Sequence, residues 1–105
     1  MKRNSRYFNK KMTQVYSAVR DTIFKFGLEV VDSDKNAGTL TFQTKKSYIF
    51  FGGYKYTLSV RAVSDQQMQV VLSTGDDISQ KKVDELADSI FEEMDRQLPV
   101  NQDLG

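Results

Sequence analysis

Carboxylates are the residues of this sequence that could perform acid–base or metal chemistry. The 105-residue chain contains no histidine and no cysteine, so the commonest general base and the thiolate nucleophile are both absent. Asp84 and Asp88 are one turn apart in a predicted helix and could share a proton or bind a cation. A solvated helix face explains them better, because further acids share it: Glu85, Glu92, Glu93 and Asp95. The sequence therefore predicts no catalytic residue, no cofactor and no metal site.

Two other patterns resemble known ligand-binding loops, one for calcium and one for phosphate. Asp32, Asp34 and Asn36 alternate as calcium ligands do, but the glycine and distant glutamate of an EF-hand loop are not where that geometry requires them. Gly52-Gly53 lacks the further glycines and the lysine of a phosphate loop, and it joins two predicted strands. Neither pattern predicts a binding site.

Aromatic and basic residues are mixed in one part of the sequence. The aromatic residues are Tyr48, Phe50, Tyr54 and Tyr56, and the basic ones are Lys45, Lys46, Lys55 and Arg61. Such a mixture can stack bases, but the run KKSYIFFGGYKY does not match the signature of RNA-recognition sheets. The alternation of the aromatic residues instead predicts a buried strand face, which disfavours nucleic acid as a partner.

Two functions remain open. The first is a non-catalytic protein-interaction module of uncharacterised bacterial type, whose partner is another protein or a second copy of the chain. Its candidate contacts are Lys45, Ile49, Phe51, Lys55 and Arg61, because Ile49 and Phe51 are large apolar groups predicted on the solvent-exposed face or at a hairpin tip. The alternative is a carrier of a small apolar ligand bound between helices and sheet. Its pocket, on the order of 300 Å³, would be lined by Tyr16, Tyr48, Tyr56 and Met94.

The charges are divided unequally along the chain. Residues 1–61 contain 12 Lys and Arg against 4 Asp and Glu, whereas residues 62–105 contain 3 against 10. Such a chain could steer an acidic partner to its first half, but mutual neutralisation of a basic N-terminal segment and an acidic C-terminal helix is the favoured interpretation. Apolar runs fall far short of the about 20 residues that span a membrane. A full-length chain of this kind is expected in the cytoplasm.

Hydrophobic periodicity predicts a single α+β domain of order α-β-β-β-β-α. Steps of three and four predict helices over about residues 9–26 and 80–98, with Gly27 ending the first and Ser79 capping the second. Alternation predicts strands over about 28–32, 39–45, 54–63 and 67–73, and whether the second continues to Phe50 depends on the turn that follows it. Residues 1–8 and 99–105 are predicted to be loose tails. The four strands would form an antiparallel meander with both helices on its apolar face, a two-layer sandwich.

The register between the second and third predicted strands depends on the turn at Gly52-Gly53. A two-residue turn would place Leu40 and Phe42 on the wrong face unless a bulge intervened. A three-residue loop of residues 51–53 is preferred, and it pairs Phe50 with Tyr54, Thr44 with Val60 and Phe42 with Ala62.

One stretch resembles a known group of domains. It consists of an amphipathic helix, then Gly27-Leu28-Glu29-Val30-Val31-Asp32-Ser33-Asp34, then Gly38-Thr39-Leu40. This pattern resembles the repeated domain of the C-component lipoprotein of the outer-membrane β-barrel assembly machine, and it is similar to several uncharacterised bacterial helix–meander–helix domains. The resemblance covers about residues 12–98 and implies a non-catalytic module that works by contact with other proteins.

Overall fold

The computed structural model describes residues 1–44 and 53–98. They form five strands and two helices, namely β1 (Lys2–Phe8), α1 (Met12–Lys25), β2 (Glu29–Asp34), β3 (Thr39–Gln43), β4 (Lys55–Ser64), β5 (Gln67–Thr74) and α2 (Gln80–Gln97). The strands make one antiparallel sheet in the order β1-β5-β4-β3-β2. Helix α1 packs over β4 and helix α2 over β1 and β5, and the helices contact each other. The α+β class and the antiparallel sheet are as predicted, but the sheet has five strands rather than four.

The additional strand is β1, in the segment that was predicted to be a loose tail. It pairs with β5 along its whole length, from Lys2 opposite Thr74 to Phe8 opposite Met68. Its helix-facing residues are mostly polar, so the sequence lacks the apolar alternation that signals a strand. Their partners lie on α2: Asn4 Nδ2 donates to Asp84 Oδ1 at 2.9 Å, and Arg6 Nη1 lies 2.7 Å from Asp95 Oδ2. One ion pair, Arg6 with Asp95, therefore joins the basic segment to the acidic helix.

The end of α1 and the start of α2 lie where Gly27 and Ser79 predicted them. Gly27 has φ +68°, and the amide of Leu28 donates to the carbonyl of Ile23 at 3.2 Å, which is a Schellman ending. The Ser79 hydroxyl accepts from the amide of Lys82 at 3.2 Å, as an N-cap does. Helix α1 begins at Met12 rather than near residue 9, because β1 extends to Phe8.

The predicted register between β3 and β4 is wrong by six residues. Phe42 lies opposite Tyr56 rather than Ala62, and the amide of Thr44 donates to the carbonyl of Tyr54 at 3.0 Å rather than facing Val60. The error is an even number of residues, so every side chain keeps its predicted face. Residues 45–52, which connect β3 to β4 in the sequence, lie outside the described residues, and so do the predicted pairing of Phe50 and the predicted loop beginning at Phe51.

Gly38 holds the start of β3 against the middle of β4. Its carbonyl accepts from the amide of Val60 at 2.7 Å, and its φ is +72°. A Cβ at this position would lie 2.7 Å from the carbonyl oxygen of Val60 and 2.5 Å from the terminal carbon of Met12. Position 38 therefore requires glycine for both conformation and space.

The sheet buries one face and exposes the other. Inward-facing residues of β3, β4 and β5 alternate with half-buried or exposed ones, and they join residues of both helices in one core. Strand β2 is exposed at all six positions, with a register shift between Val30 and Asp32. Within the described part of the chain, neither helix is long and apolar enough to cross a membrane.

Replacing Gly38 with alanine should destabilise the fold. The left-handed backbone and the contact with the Val60 carbonyl together should lower the free energy of unfolding by about 1–3 kcal/mol. Urea denaturation followed by circular dichroism measures this loss. Gly75→Ala is the matched control, because a Cβ there meets no atom within 4 Å. Equal losses in the two variants would contradict the role assigned to Gly38.

Candidate functional site

Tyr56 places a polar group inside an apolar environment at the beginning of β4. Its side chain is 3% exposed and stacks on Phe42, with ring centroids 5.4 Å apart and planes 16° from parallel. Within residues 1–44 and 53–98, no group forms a hydrogen bond with its hydroxyl. Most buried hydroxyls in proteins have a hydrogen-bond partner, whereas that of Tyr56 has none within these two ranges.

Hydrogen bonds from the end of β5 hold the start of β4, the strand that contains Tyr56. The Thr74 hydroxyl donates to the carbonyl of Lys55 at 2.7 Å, and the amide of Lys55 donates to Asp76 Oδ2, also at 2.7 Å. The amide of Asp76 in turn donates to the Thr74 hydroxyl at 3.1 Å. These three bonds determine the direction in which β4 enters the sheet, and therefore the position of the neighbouring Tyr56 ring.

The surroundings of Tyr56 keep its hydroxyl protonated. Burial raises the pKa of Tyr56 above its ordinary value of 10.0, and the nearby Tyr54 and Asp76 groups raise that pKa further. At neutral pH the group is therefore a hydrogen-bond donor and not a base. The nearby negative charge of Asp76 is unfavourable for an anion beside Tyr56.

Three of the four residues predicted to line a pocket lie in one core cluster: Tyr16, Tyr56 and Met94. Tyr16 differs from Tyr56 because its hydroxyl donates to the carbonyl of Thr39 at 3.0 Å. Met94 is fully buried. The fourth predicted lining residue, Tyr48, lies outside the residues that the structure describes.

A separate surface cavity of about 260 Å³ lies where the end of α2 crosses α1. Its lining residues are Gln14, Ser17, Ala18, Asp21, Gln97 and Leu98. This cavity is mostly polar and includes none of the residues that the sequence predicted for an apolar ligand. It is therefore distinct from the Tyr56 position.

Two of the predicted partner contacts are exposed on the open face of the sheet. Lys55 and Arg61 are both on β4, six residues apart, which separates them by about 20 Å along the strand. The structure therefore does not bring them together as one contact. The other three predicted contacts, Lys45, Ile49 and Phe51, lie in the part of the chain that the structure does not describe.

Glu93 is a buried carboxylate that the sequence analysis placed on a solvated helix face. Its side chain is only 4% exposed, and its oxygens lie 3.0 Å from Lys25 Nζ and 2.9 Å from Arg96 Nη2. Gln97 also donates to it at 3.1 Å, and these hydrogen bonds and charges lower its pKa to about 2. A carboxylate so strongly paired is no acid–base catalyst at neutral pH, and it instead joins α1 to α2.

Asp84 is a second acid of α2 with a structural role. The side-chain amides of Asn4 and Gln80 both donate to Asp84 Oδ1 and lower the pKa of Asp84, so this carboxylate links α2 to β1. No group of three or more potential metal ligands occurs in the described residues. The periodicity of α2 did contain a signal for Glu93, since it follows Ile90 by three positions and precedes Met94 on the buried side.

Comparisons with known proteins identify a shared fold. No family model matches the sequence, and no curated protein matches it. Among solved structures, the di-domain ARO/CYC StfQ from the steffimycin biosynthetic pathway has a TM-score of 0.70 at 9% identity, covering 93% of this chain. The chain spans 45% of StfQ. These values show similarity of fold and not of function.

Two further structures have the same arrangement. A protein from Thermobifida fusca, solved by NMR, has a TM-score of 0.65 at 15% identity and covers 99% of this chain and 98% of its own. The vertebrate conserved region of human METTL16 has a TM-score of 0.60 at 12% identity, covering 93% of this chain and 100% of that region. The fold thus occurs both as an isolated chain and as part of a larger protein.

The Glu93 contacts predict a specific dependence of stability on pH. Because folding lowers the pKa of Glu93 from 4.5 to about 2, its stabilising contribution is complete above pH 4.5 and is lost as the pH falls toward 2. Urea denaturation between pH 2 and 7 should show this loss in the natural chain. Glu93→Gln should be less stable at neutral pH and should lack that part of the pH dependence.

Glu92→Gln is the matched control for this measurement. Glu92 is the exposed neighbour of Glu93 on the same helix, and its replacement removes the same charge. If both variants keep the pH profile of the natural chain, Glu93 does not contribute as the structure indicates.

Proposed function

We propose that this chain is a non-catalytic domain that binds a small, largely apolar ligand against the helix-covered face of its sheet, at the end where β4 begins. The proposal rests on the buried hydroxyl of Tyr56. No described residue accepts a hydrogen bond from this hydroxyl. A buried polar group without a partner costs about 1–3 kcal/mol. A ligand atom that accepts this hydrogen bond removes the cost, and so contributes affinity.

The residues around Tyr56 define the chemical class of the ligand. The stacked ring of Phe42 offers an apolar contact, and Tyr54, 38% exposed, lies toward solvent at the same end of the sheet. Asp76 places negative charge nearby, which disfavours a carboxylate or phosphate. The ligand we propose is therefore neutral and aromatic or alicyclic, with one hydrogen-bonding oxygen.

The fold comparison supports a small-molecule ligand. StfQ is an ARO/CYC protein of a biosynthetic pathway, and its structure resembles this chain over 93% of the chain's length. At 9% identity this likeness carries no residue from one protein to the other. It supports only the idea that a sheet covered by helices on one face can serve small-molecule chemistry.

The available groups favour binding over catalysis. The sequence has neither histidine nor cysteine. The Tyr56 phenol remains protonated at neutral pH, and Glu93 remains ionised and paired with Lys25 and Arg96. Neither group can exchange a proton readily at neutral pH.

A pair of related ligands tests the proposal. Naphthalene and 1-naphthol differ by one hydroxyl group, and both fit the proposed class. The natural chain should bind 1-naphthol about 2–10-fold more tightly than naphthalene, as a single hydrogen bond predicts. Tyr56→Phe should remove this preference while it keeps most of the affinity for naphthalene. Titration followed by heteronuclear NMR gives the affinities and the residues that respond.

Tyr16→Phe is the matched control, because the Tyr16 hydroxyl is already bound to the carbonyl of Thr39. It should lower stability and leave the preference for 1-naphthol unchanged. Failure of both compounds to bind would overturn the proposal, and so would the same preference in Tyr56→Phe as in the natural chain.

A further inference from the structure

The two edge strands of the sheet have opposite charge. Strand β1 contains Lys2, Arg3 and Arg6 and no acid, whereas β2 contains Glu29, Asp32 and Asp34 and no base. They lie at opposite ends of the strand order β1-β5-β4-β3-β2, so neither can reach the other within one molecule. Among the described residues no further strand pairs with either edge, and on β1 the carbonyl of Arg3 accepts a hydrogen bond from Gln80 Nε2 at 3.0 Å.

Several of these charges are free to contact a partner. Arg6 is held by Asp95, but neither Lys2 nor Arg3 has a carboxylate partner in the described residues. Asp32 likewise forms no hydrogen bond or ion pair there. All six residues of β2 are exposed, and Val30 and Val31 are 45% and 46% exposed. Strand β2 therefore offers apolar area as well as charge.

The directions of the side chains favour contact between unlike edges. Arg3 pairs with Ser73 on the open face of the sheet, and Asp32 pairs with Thr41 on that same face. If two sheets are joined edge to edge with their helices on the same side, Arg3 of one molecule lies on the same face as Asp32 of the next. Opposite charges placed across neighbouring strands stabilise their pairing.

We propose that this chain associates with further copies of itself by pairing the basic edge β1 of one molecule with the acidic edge β2 of another. Contact between two β2 edges would bring six carboxylates together, and contact between two β1 edges would bring six cations together. Like charges across neighbouring strands are destabilising. Charge repulsion therefore disfavours pairing between two β1 edges or between two β2 edges, but it does not disfavour pairing of β2 with β1.

Such a contact joins different surfaces and is not closed by a two-fold axis. An open assembly always has one free β1 edge at one end and one free β2 edge at the other, so association continues beyond a dimer or closes into a ring. The register shift between Val30 and Asp32 bends the edge of β2 and limits the ladder to a few residues. The expected association is therefore weak and sensitive to salt.

Sedimentation velocity of the natural chain over a range of concentrations tests this inference. At low ionic strength the average mass should rise above 12.1 kDa with concentration and should pass the mass of two copies. At about 1 M salt, where the Debye length is about 3 Å, the mass should return to that of one chain. A single 12.1 kDa species at every concentration overturns the inference, as does a dimer that salt does not affect.

A charge exchange separates edge pairing from general electrostatic attraction. Asp32→Lys and Arg3→Glu should each weaken association by about tenfold, because each places like charges opposite each other. Mixed together, the two variants should associate again, since the altered β2 of one then complements the altered β1 of the other.

The matched controls are Asp65→Lys in the β4–β5 turn and Arg61→Glu on the central strand β4, which change net charge equally away from both edges. They should associate as the natural chain does. If the controls weaken association as much as the edge variants, or if the mixture does not recover, the contact does not involve β1 and β2.

Discussion

The packing of Phe8 on β1 against Phe91 on α2 closes one side of the domain. Because it places β1 beyond β5, it also determines which strands form the edges of the sheet. Their rings meet edge to face with centroids 6.1 Å apart, and Arg6 lies 5.4 Å from the centre of the Phe91 ring. Phe8 and Phe91 are 4% and 1% exposed, whereas the ion pair of Arg6 with Asp95 is partly exposed and contributes at most about 1 kcal/mol. Burial of the two rings therefore holds β1 in the sheet, and the charges select which strand and helix meet.

The placement of β1 has consequences at both sides of the sheet. With β1 added beyond β5, the two edges become β1 and β2, and their opposite charges face solvent at a distance from each other. Inside the molecule, the Glu93 contacts join α1 to α2, and the bonds of Thr74 and Asp76 set the start of β4. Between these fixed points Tyr56 is buried, and none of residues 1–44 and 53–98 pairs with its hydroxyl. The proposed ligand position and the proposed contact between copies thus lie in different parts of the fold and can be tested separately.

Local signals in the sequence predicted local structure well. The stripe of α1, the left-handed glycine at position 27 and the cap at Ser79 all depend on residues within one or two turns of each other. The assignment of Tyr56 and Met94 to the core also follows from periodicity alone. Strand β1 gave no such signal, because the residues that satisfy Asn4 and Arg6 come from a helix about 80 residues later.

By itself, the sequence determined the α+β class, the antiparallel sheet, the buried faces of β3, β4 and β5, the end of α1 and the start of α2, because these depend on spacing and on single capping residues. Tertiary structure decided the register of β3 and β4, since a shift of six residues leaves the alternation unchanged, whereas contacts such as that of Gly38 with Val60 exist in one pairing and not in the other. It also decided that the Tyr16 hydroxyl donates to the carbonyl of Thr39, while no residue in the described part of the chain pairs with the Tyr56 hydroxyl. That difference depends on which backbone atoms the folded sheet brings near each ring, so the periodicity of the sequence does not predict it.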